Sequence, residues 1–342
     1  MRIIVDINHP AHVHFFRNFI WEMRNKGHDV QIVASNKDIA LKLLKLYKLD
    51  YINIGSYGKS LFEKLINFII LDLKMIFIVL KYNPDVIMGI ATIRGSHAGW
   101  LLRKKVLVFT DTEHAKEQIA LYKPFATKIL TPDCFTTDLG LKQIRYKGYH
   151  ELAYLHPNRF TPDKEVLKEM GIKDNDRYFI IRLVSWDATH DIGQKGLSYE
   201  GKKRLFQLLE KHGRIIITSE SKLPDEFTKY QMKVEPTKIF DLMYYADLYI
   251  GEGATMASES AILGTPTIYI STLVLGYLRE QENKYGVQFN ITDEEKIFPI
   301  VEEILNTNDY KKRFKERSTS MVNDRIDVTS FMIDTVTNIN NL

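Results

Sequence analysis

Short apolar runs alternate along the first half of the chain with longer segments whose apolar residues recur at helical spacing. The run RIIVDI is followed by HVHFFRNFIWEMRNKG, and then by HDVQIVAS, KDIALKLLKLYKL and YINIG. After a long apolar segment, the alternation continues through PDVIMGI, GSHAGWLLRK, KVLVFTD and ATKILTP. Short apolar strands with helices between them are typical of a parallel sheet that is covered on both faces. The pattern therefore predicts a domain built from βα repeats.

The alternation lapses in RYKGYHELAYLHPNRFTPD and then resumes. The second half reads RYFIIRLVS, SYEGKKRLFQLLEKHG, RIIITSE, TKIFDLMYYA, DLYIGEG and TPTIYIS, and the final segment reads as helices. We therefore predict an α/β fold with two doubly wound, parallel-sheet, Rossmann-like domains that face a cleft. The expected divisions are a domain over 1–148, a linker over 149–162, a second domain over 163–315, and a C-terminal helix over 316–342 that could pack back on the first domain.

Composition narrows the class of protein only modestly. The 342 residues are 45% hydrophobic and 26% charged, which is ordinary for a globular protein. A net charge of +4 falls short of the concentrated basic face of a nucleic-acid binder, so no nucleic-acid partner is expected. Cys134 is the only cysteine, so no intrachain disulfide can form. We expect a cytoplasmic protein, because a reducing compartment fits this cysteine usage and MRIIVDINHP is too short and too polar for a signal sequence.

The long apolar segment LFEKLINFIILDLKMIFIVLKYNP is, by its composition, the part of the chain best suited to span or contact a membrane. Four charged residues interrupt it: Glu63, Lys64, Asp72 and Lys74. A spanning helix needs about 20 residues with few or no charges, so a membrane span is not expected. The segment is either a helix buried against the sheet or a face that touches a membrane surface, on the inner face of the membrane. Four lysines flank or interrupt it: Lys59, Lys64, Lys74 and Lys81.

The segment YIGEGATMASESAILGTPTIYI predicts a strand, a glycine turn, a helix and a second strand. A helix start has free N–H groups and a partial positive charge, which suits phosphate. We expect the amides of Gly253, Ala254 and Thr255 to bind a donor phosphate. Glu259 follows Thr255 by four residues on the same helix face, about 6 Å along the axis. Its carboxylate could accept hydrogen bonds from the two hydroxyls of a ribose.

This arrangement, with its Gly-x-Pro before the second strand, resembles the nucleotide-sugar site of GT-B glycosyltransferases. The segments EPTKIFDLMYYADLYIG and NPDVIMGIATIRGSHAGWLLRKKVLVFTDTEHA are similar to the transferase that adds N-acetylglucosamine in peptidoglycan synthesis. The N-terminal VDINHPAHVHFFRNFIWEMRNKGHDV resembles an uncharacterised bacterial and archaeal family of the same superfamily.

The resemblance implies a GT-B glycosyltransferase that needs no metal ion and no cofactor besides its nucleotide-sugar substrate. The donor would be UDP-linked. The acceptor would be a saccharide or a lipid-linked saccharide, in surface polysaccharide or glycolipid synthesis. The second domain would hold the donor, and the first would hold the acceptor and the catalytic base.

Two alternatives stay open. Hydrolysing nucleotide-sugar 2-epimerases share the architecture, and FTDTEHA is similar to their segment with a catalytic glutamate, which would fall on Glu113. Their arginine-containing first loop is replaced here by Asn8-His9-Pro10, and GIATIRG has no counterpart of their catalytic aspartate. The other alternative is a protein that binds nucleotide-sugars without catalysis.

The loop DINHPAHVHF follows the first strand, at the edge of a parallel sheet where ligands bind. Histidine titrates near neutrality, so His9 and His12 are candidates for a general base, with Asp6 as a third. A zinc site is not expected, because His12 and His14 point in different directions in a helix. The alternative is that the loop only caps and packs a helix that Pro10 begins.

Further polar side chains follow other predicted strands. Asp111, Glu113 and His114 in TDTEHA could do acid–base chemistry or bind an acceptor hydroxyl, or could simply favour a helix start. Arg94 in TIRGSHAG is a weaker candidate for acceptor contact.

The segment RLVSWDATHDIGQKG supplies three candidates for donor binding. Arg182 and Lys195 could neutralise the leaving diphosphate, and His190 could touch the nucleotide. Glu252 opposes phosphate binding at the glycine turn unless its carboxylate points away or binds a cation. The basic run KKRFKER over 311–317 is predicted to be a solvated helix face.

Overall fold

The structure is a computed structural model that describes residues 1–37, 39–58, 60–183, 196–219, 223–273 and 275–341. The predicted donor residues His190 and Lys195 lie outside the described residues. The chain divides into two compact units: unit 1 comprises Met1–Arg159 and Ile326–Leu342, and unit 2 comprises Phe160–Arg325. The expected first boundary at residue 148 therefore precedes the division between the units, because α6 (Leu152–Leu155) is buried within unit 1.

Unit 1 is built on a parallel sheet with the strand order β3-β2-β1-β4-β5-β6-β7. The strands are β1 (Arg2–Ile7), β2 (Asp29–Ser35), β3 (Tyr51–Gly55), β4 (Val86–Ile90), β5 (Lys105–Phe109), β6 (Lys128–Pro132) and β7 (Gln143–Tyr146). Its helices besides α6 are α1 (Pro10–Asn25), α2 (Ala40–Leu46), α3 (Leu61–Tyr82), α4 (Ile93–Leu101), α5 (Lys116–Tyr122) and α14 (Val328–Thr337). The strand order reverses between β1 and β4, which is where ligands bind in such sheets.

The central strands of the unit 1 sheet are buried on both faces, as the continuous apolar runs predict. Ile3, Ile4 and Val5 of β1 are fully buried. Helix α1 begins at Pro10, whose missing N–H costs nothing in the first turn. Helix α3 begins with a capping box between Ser60 and Glu63.

Unit 2 is built on a second parallel sheet, with the order β12-β11-β10-β8-β9. The strands are β8 (Tyr178–Leu183), β9 (Arg214–Ser219), β10 (Leu248–Gly251), β11 (Thr267–Ile270) and β12 (Phe289–Ile291). The helices are α7 (Glu165–Glu169), α8 (Tyr199–Leu209), α9 (Ile239–Tyr245), α10 (Ala254–Ile262), α11 (Gly276–Glu280), α12 (Ile297–Asn306) and α13 (Tyr310–Asn323). The order reverses between β8 and β10. The predicted α/β class with two doubly wound, Rossmann-like domains is confirmed.

The C-terminal helix α14 belongs to unit 1, whereas residues 316–325, which the sequence analysis assigned to the same C-terminal helix, belong to unit 2. Thr329 Oγ1 donates to the carbonyl oxygen of Ala153 in α6 at 2.7 Å. Arg159 Nε donates to Asp327 Oδ2 at 2.7 Å, just before α14 begins. These hydrogen bonds hold α14 against residues 153–159, the last residues of unit 1 before the chain enters unit 2.

The basic run on α13 has an exposed face formed by Lys312, Arg313, Glu316 and Arg317, as predicted, but the prediction does not hold for Lys315. Phe314 is buried, and Lys315 Nζ donates to the carbonyl oxygens of Leu263 at 2.5 Å and Tyr244 at 3.2 Å. Burial lowers the pKa of Lys315 to about 7. The last carbonyl groups of a helix receive no hydrogen bond within that helix. The lysine therefore supplies a hydrogen-bond donor to carbonyl groups at the ends of α9 and α10.

Helix α3 is apolar over most of its length, and its two sides have different surroundings. Leu71, Met75 and Val79 are buried against the sheet. The opposite side carries large apolar residues that solvent reaches. In the part of the chain that the structure describes, no helix is both long enough and apolar enough to cross a membrane.

Candidate functional site

The start of α10 lies where the strand order of unit 2 reverses. Gly251 ends β10 and pairs with Arg182 of β8. Gly253 is the N-cap and has no side chain to bond the helix start, and the first helical bond runs from Ala257 N to Gly253 O at 3.1 Å. The amides of the preceding helical residues therefore have no acceptor within the helix, which suits an anion. The helix begins at Ala254, one residue before the predicted Thr255.

Two polar side chains are buried beside the first turns of α10. Glu259 is 4% exposed. Gln281 is fully buried, and its Nε2 donates to Ser258 Oγ at 2.8 Å. Gln281 Oε1 is buried without a hydrogen-bond partner among the described residues. An unpaired buried acceptor is costly, so a ligand hydroxyl that donates to it would be favoured.

Sequence reasoning missed Gln281. The residue lies in a π-helical turn over Gln281–Tyr285, directly after α11. Such turns occur often at functional sites. The only signal in the sequence is the polar run REQENK between apolar residues, which also suits an exposed helix.

Glu252 does not oppose a phosphate at the glycine turn as its sequence position suggests. Its Oε1 accepts a hydrogen bond from the backbone N–H of Leu197 at 2.9 Å, and Lys202 Nζ lies 3.9 Å from the same oxygen. A Cβ on Gly196 would lie 2.1 Å from this carboxylate oxygen, so any larger residue there would displace the carboxylate. The carboxylate is therefore directed toward the segment before α8, where a cation partly balances its charge.

Asp6 and Arg94 meet at the carboxyl ends of β1 and β4, and they bind each other. Asp6 Oδ1 accepts from Arg94 Nε at 2.9 Å, and Asp6 Oδ2 accepts from Thr92 Oγ1 at 2.5 Å. Arg94 Nη1 donates to Ser35 Oγ at 2.5 Å. Asp6 is fully buried and Arg94 is 2% exposed. This geometry corrects two expectations: Asp6 is not positioned to act as a base, nor Arg94 to contact an acceptor, because each is buried and neutralised by the other.

His9 and His12 are brought together at the start of α1. Their ring centroids lie 5.8 Å apart. His9 is the N-cap of the helix, and its Nδ1 accepts from the N–H of Ala11 at 3.2 Å. That bond places the proton of the neutral ring on Nε2, so His9 is a poor proton acceptor while it caps the helix.

His12 has the properties of a neutral imidazole. It is 9% exposed, and its Nδ1 is buried without a hydrogen-bond partner in the described part of the chain. Burial, followed by the charge of His9, holds the pKa of His12 well below its usual value. His14 lies elsewhere, with its Nδ1 3.3 Å from Arg17 Nη1 and 3.2 Å from the Tyr47 hydroxyl. The three histidines therefore do not converge as metal ligands would.

A carboxylate–imidazole pair, with a half-buried Asp111 and a buried His150, lies near the carboxyl ends of β5 and β7. Asp111 Oδ2 lies 3.0 Å from His150 Nδ1, and Thr112 Oγ1 donates to Asp111 Oδ1 at 2.9 Å. Burial raises the pKa of Asp111, but His150, together with hydrogen bonds from Thr112 and the backbone, lowers it, and the net shift is downward. The Nε2 atom of His150 is buried without a partner among the described residues. Sequence reasoning predicted Asp111 and missed His150, which lay in the supposed linker.

Glu113 and His114 follow Asp111 in the loop between β5 and α5 and are half-buried. Glu113 Oε1 accepts from the backbone N–H of Thr136 at 3.3 Å. On the side of unit 1, the structure thus brings His9 and His12 together and pairs Asp111 with a residue that was not predicted. On the side of unit 2, Gly253, Ala254, Thr255 and Glu259 share α10.

Two parallel Rossmann-like sheets in one chain are the GT-B architecture, and solved structures of that class align over nearly the whole chain. The UDP-GlcNAc 2-epimerase of Neisseria meningitidis, solved with UDP-GlcNAc bound, is 11% identical, with a TM-score of 0.71 over 99% of this chain and 100% of that chain. The glycosyltransferase SsfS6 of Streptomyces sp. SF2575 is 12% identical, with a TM-score of 0.60 over 97% of this chain and 99% of that chain. At these identities the likeness establishes the fold, and it confirms the predicted GT-B resemblance.

The chain belongs to the family described as "Protein of unknown function (DUF354)", whose model matches residues 1–341. A relative of the chain is the uncharacterized protein MJ0665 of Methanocaldococcus jannaschii. The two are 25% identical over 276 residues, which cover 77% of this chain and 80% of the relative.

Proposed function

We propose that the protein is a nucleotide-sugar enzyme that transfers a sugar from a UDP-linked donor to a hydroxyl acceptor. The proposal rests mainly on one structural observation. Helix α10 begins at the strand-order reversal of unit 2 without a side-chain cap, and two buried polar side chains, Glu259 and Gln281, lie beside it. A diphosphate, a ribose and a sugar offer the anionic oxygens and hydroxyls that such groups bind.

The donor roles follow from the positions on α10. The amides of Ala254 and Thr255 would bind the diphosphate at the helix start. Glu259 lies five residues after Ala254, about 7.5 Å along the helix axis, where its carboxylate would accept from the ribose hydroxyls. Arg182, in the strand beside β10, would help to neutralise the leaving diphosphate. His190 and Lys195 remain candidates for the same task.

We assign the general base to His12 rather than to His9. The Nδ1 atom of His12 has no hydrogen-bond partner among the described residues, whereas Nδ1 of His9 is engaged by the N–H of Ala11. Burial lowers the pKa of His12, so its imidazole is neutral near pH 7. In the reaction, the acceptor oxygen forms a bond to the anomeric carbon as the bond from that carbon to the phosphate oxygen breaks. The nucleoside diphosphate leaves with the electron pair, and the acceptor proton passes to His12. Glu113, Asp111 and His114 are candidates to bind the acceptor.

The acceptor class follows from the resemblance in sequence. A saccharide or lipid-linked saccharide of surface polysaccharide or glycolipid synthesis, made in the cytoplasm, would supply the hydroxyl. No metal ion is needed in this scheme, because Arg182 and the helix start supply positive charge to the leaving group.

A nucleotide-sugar 2-epimerase is the second candidate. It is favoured by the alignment with the Neisseria meningitidis structure, which is named as a UDP-GlcNAc 2-epimerase bound to UDP-GlcNAc. In that case no acceptor is needed, and Glu113 would take part in proton transfer at the sugar. A protein that binds nucleotide-sugars without turnover is the third candidate.

Incubation with a panel of UDP-, GDP- and dTDP-sugars, with and without saccharide acceptors, tests these functions by mass spectrometry and NMR. Nucleoside diphosphate release that depends on the acceptor is the expected result. Formation of an epimer with release of free nucleotide in the absence of acceptor would identify the epimerase instead. Binding without turnover would favour the third candidate, and absence of binding to every nucleotide-sugar would overturn the proposal.

A further inference from the structure

The outer side of α3 is a long apolar surface that the rest of the described chain leaves uncovered. Its members are large apolar residues between 40% and 73% exposed, here called the α3 strip: Phe62, Leu65, Ile66, Ile69, Ile70, Leu73, Phe77 and Leu80. They recur at helical spacing on the side opposite the buried Leu71, Met75 and Val79. A helix of 22 residues is about 33 Å long, so the strip runs along one flank of unit 1.

The neighbouring helix α4 also has exposed apolar side chains. His97 of α4 bonds Asp72 of α3 at 2.6 Å, so the two helices lie side by side. Trp100 and Leu101 at the end of α4 are 62% and 55% exposed. The strip alone is an apolar surface on the order of several hundred Å², and exposed patches of that size mark contact with a protein or a membrane.

The charges around the strip are mainly basic. Lys81 and Arg103 are exposed near its end. Lys104 Nζ bonds Asn83 Oδ1 at 2.5 Å, which places the Arg103–Lys104 pair beside the C-terminal end of α3. The acids on α3 have other partners, since Glu63 takes part in the capping box and Asp72 bonds His97. The rim therefore complements a negatively charged surface.

We propose that the α3 strip docks on the surface of a bilayer that contains anionic lipids. Its members are Leu, Ile and Phe, which offer no hydrogen-bonding groups, whereas protein interfaces are enriched in Tyr, Met and Arg and carry about one hydrogen bond per 100–200 Å². An apolar helix face with cations at one end lies in the headgroup region with its apolar side inward. Trp100 adds the residue type that favours that depth.

The site also suits an acceptor that is held by a membrane. Helix α3 follows β3, so it begins at the same edge of the sheet as His9 and His12, which follow β1 in the parallel sheet. Docking of the α3 strip on a bilayer would therefore keep this edge of the sheet, with His9 and His12, near the membrane surface. The docking itself is inferred from exposure and charge alone, and it does not depend on sugar transfer.

Cosedimentation of the full chain with lipid vesicles, without nucleotide, tests the proposal. We expect the protein to bind phosphatidylglycerol-containing vesicles more tightly than pure phosphatidylcholine vesicles. The triple variant Leu65→Ser, Ile69→Ser, Leu73→Ser should bind at least a hundredfold more weakly, since burial of each such side chain contributes roughly tenfold or more. The variant Lys81→Glu, Arg103→Glu should lose at least tenfold on anionic vesicles only.

Leu141→Ser is the matched control, because Leu141 is 99% exposed and lies off the strip. It should bind vesicles as the wild type does, and circular dichroism should give all variants the same thermal midpoint. Failure of the wild type to bind either kind of vesicle would overturn the proposal. So would a wild-type dimer in sedimentation equilibrium that the triple substitution dissociates without any vesicle binding, because the strip would then be an interface between two copies. Neither result bears on nucleotide-sugar binding.

Discussion

The carboxylate of Asp111 accepts a hydrogen bond from Nδ1 of His150 at 3.0 Å, inside unit 1 and at the carboxyl edge of its sheet. This bond engages the Nδ1 side of the imidazole and leaves Nε2 on the opposite side of the ring. The Nε2 atom has no hydrogen-bond partner among the described residues, and the ring of Phe15 lies against the imidazole with centroids 4.6 Å apart. The pair is therefore stabilised on one side by its hydrogen bond and has an unused ring nitrogen on the other.

The first prediction is that the charge on Asp111 stabilises the fold. Replacing Asp111 with Asn keeps the shape and removes a charged hydrogen bond, so the free energy of unfolding should fall by about 1.5–3 kcal/mol at pH 7. Urea denaturation measures the change. Asp50→Asn is the control, since Asp50 is exposed.

The same pair gives a pH dependence of defined sign. His150 lowers the pKa of Asp111 in the folded state despite burial, so the stabilisation is present above the unfolded pKa of about 3.9. It is lost as the pH falls through the folded pKa. The difference between wild type and Asp111→Asn should therefore shrink below about pH 4. A difference that grows there would contradict the assignment.

The βα pattern and the donor helix could be predicted from sequence because both depend on neighbouring residues. A buried parallel strand is a continuous apolar run, and the start of α10 is marked by glycines between two such runs. His150 could not be predicted in this way. Its burial depends on β7, Gln143–Tyr146, an edge strand whose sequence QIRY lacks a continuous apolar run, so the segment was interpreted as a linker.

The sequence alone did not distinguish buried from exposed residues in segments whose composition suits either environment. Helix α3 is apolar on all sides, so periodicity did not decide which side faces the sheet. Lys315 lies in a basic run typical of a solvated helix, yet its amine meets the carbonyl ends of two other helices. Likewise, Asp6 and Arg94 are far apart in sequence and each appeared available for chemistry. Only the adjacency of β1 and β4 pairs them.

A second prediction concerns stability in mild acid. Burial lowers the pKa of His12 and of His14 well below the usual value of about 6.5. Below that pH the unfolded chain binds protons that the folded chain does not, so stability falls as the pH drops. The slope should approach about 1.4 kcal/mol per pH unit for each buried histidine.

Urea midpoints measured between pH 5 and pH 8 check this dependence. His12→Asn should reduce the slope below pH 6.5, because one of the two buried imidazoles is gone. His212→Asn is the control, since that side chain is partly exposed. An equal slope in His12→Asn and in the wild type would show that His12 is not buried as a neutral ring.

The third prediction concerns the close approach of α4 to β5. A Cβ on Gly99 would lie 2.2 Å from Cγ2 of Val106, so Gly99→Ala should lower stability by about 1–3 kcal/mol despite its better helix propensity. Val106→Ala removes the atom that clashes. The double variant should therefore be more stable than the sum of the two single changes, by about 1–2 kcal/mol. If the two changes in the free energy of unfolding were strictly additive, the prediction would be wrong, because α4 would then move away from β5 without cost.

The fourth prediction is that Glu259 binds the donor ribose. Glu259→Ala should weaken UDP binding roughly tenfold to a hundredfold, since charged hydrogen bonds to a ligand contribute about 1.5–3 kcal/mol. Titration calorimetry gives the affinity, and circular dichroism checks that the variant is folded. Glu316→Ala is the control, because Glu316 is a largely exposed glutamate on α13 of the same unit. Unchanged UDP binding in a folded Glu259→Ala protein would remove the ribose assignment.

The last prediction separates the two histidines at the start of α1. If His12 is the base, His12→Ala should lower the turnover rate about 100- to 10,000-fold and leave donor affinity nearly unchanged. His9→Ala should act mainly on stability, with a loss of about 0.5–2 kcal/mol, because it removes the acceptor that caps Ala11 N–H. Turnover, UDP affinity and urea midpoints measured on both variants distinguish these effects.

His9→Asn completes the comparison, because an asparagine side chain can accept the same backbone hydrogen bond but cannot take up a proton at neutral pH. It should restore the stability that His9→Ala loses and should keep most of the activity of the wild type. A stable His9→Asn variant with turnover reduced as far as in His12→Ala would contradict the assignment. In that case the cap bond of His9 must break during the reaction, and His9 itself would be the residue that accepts the proton.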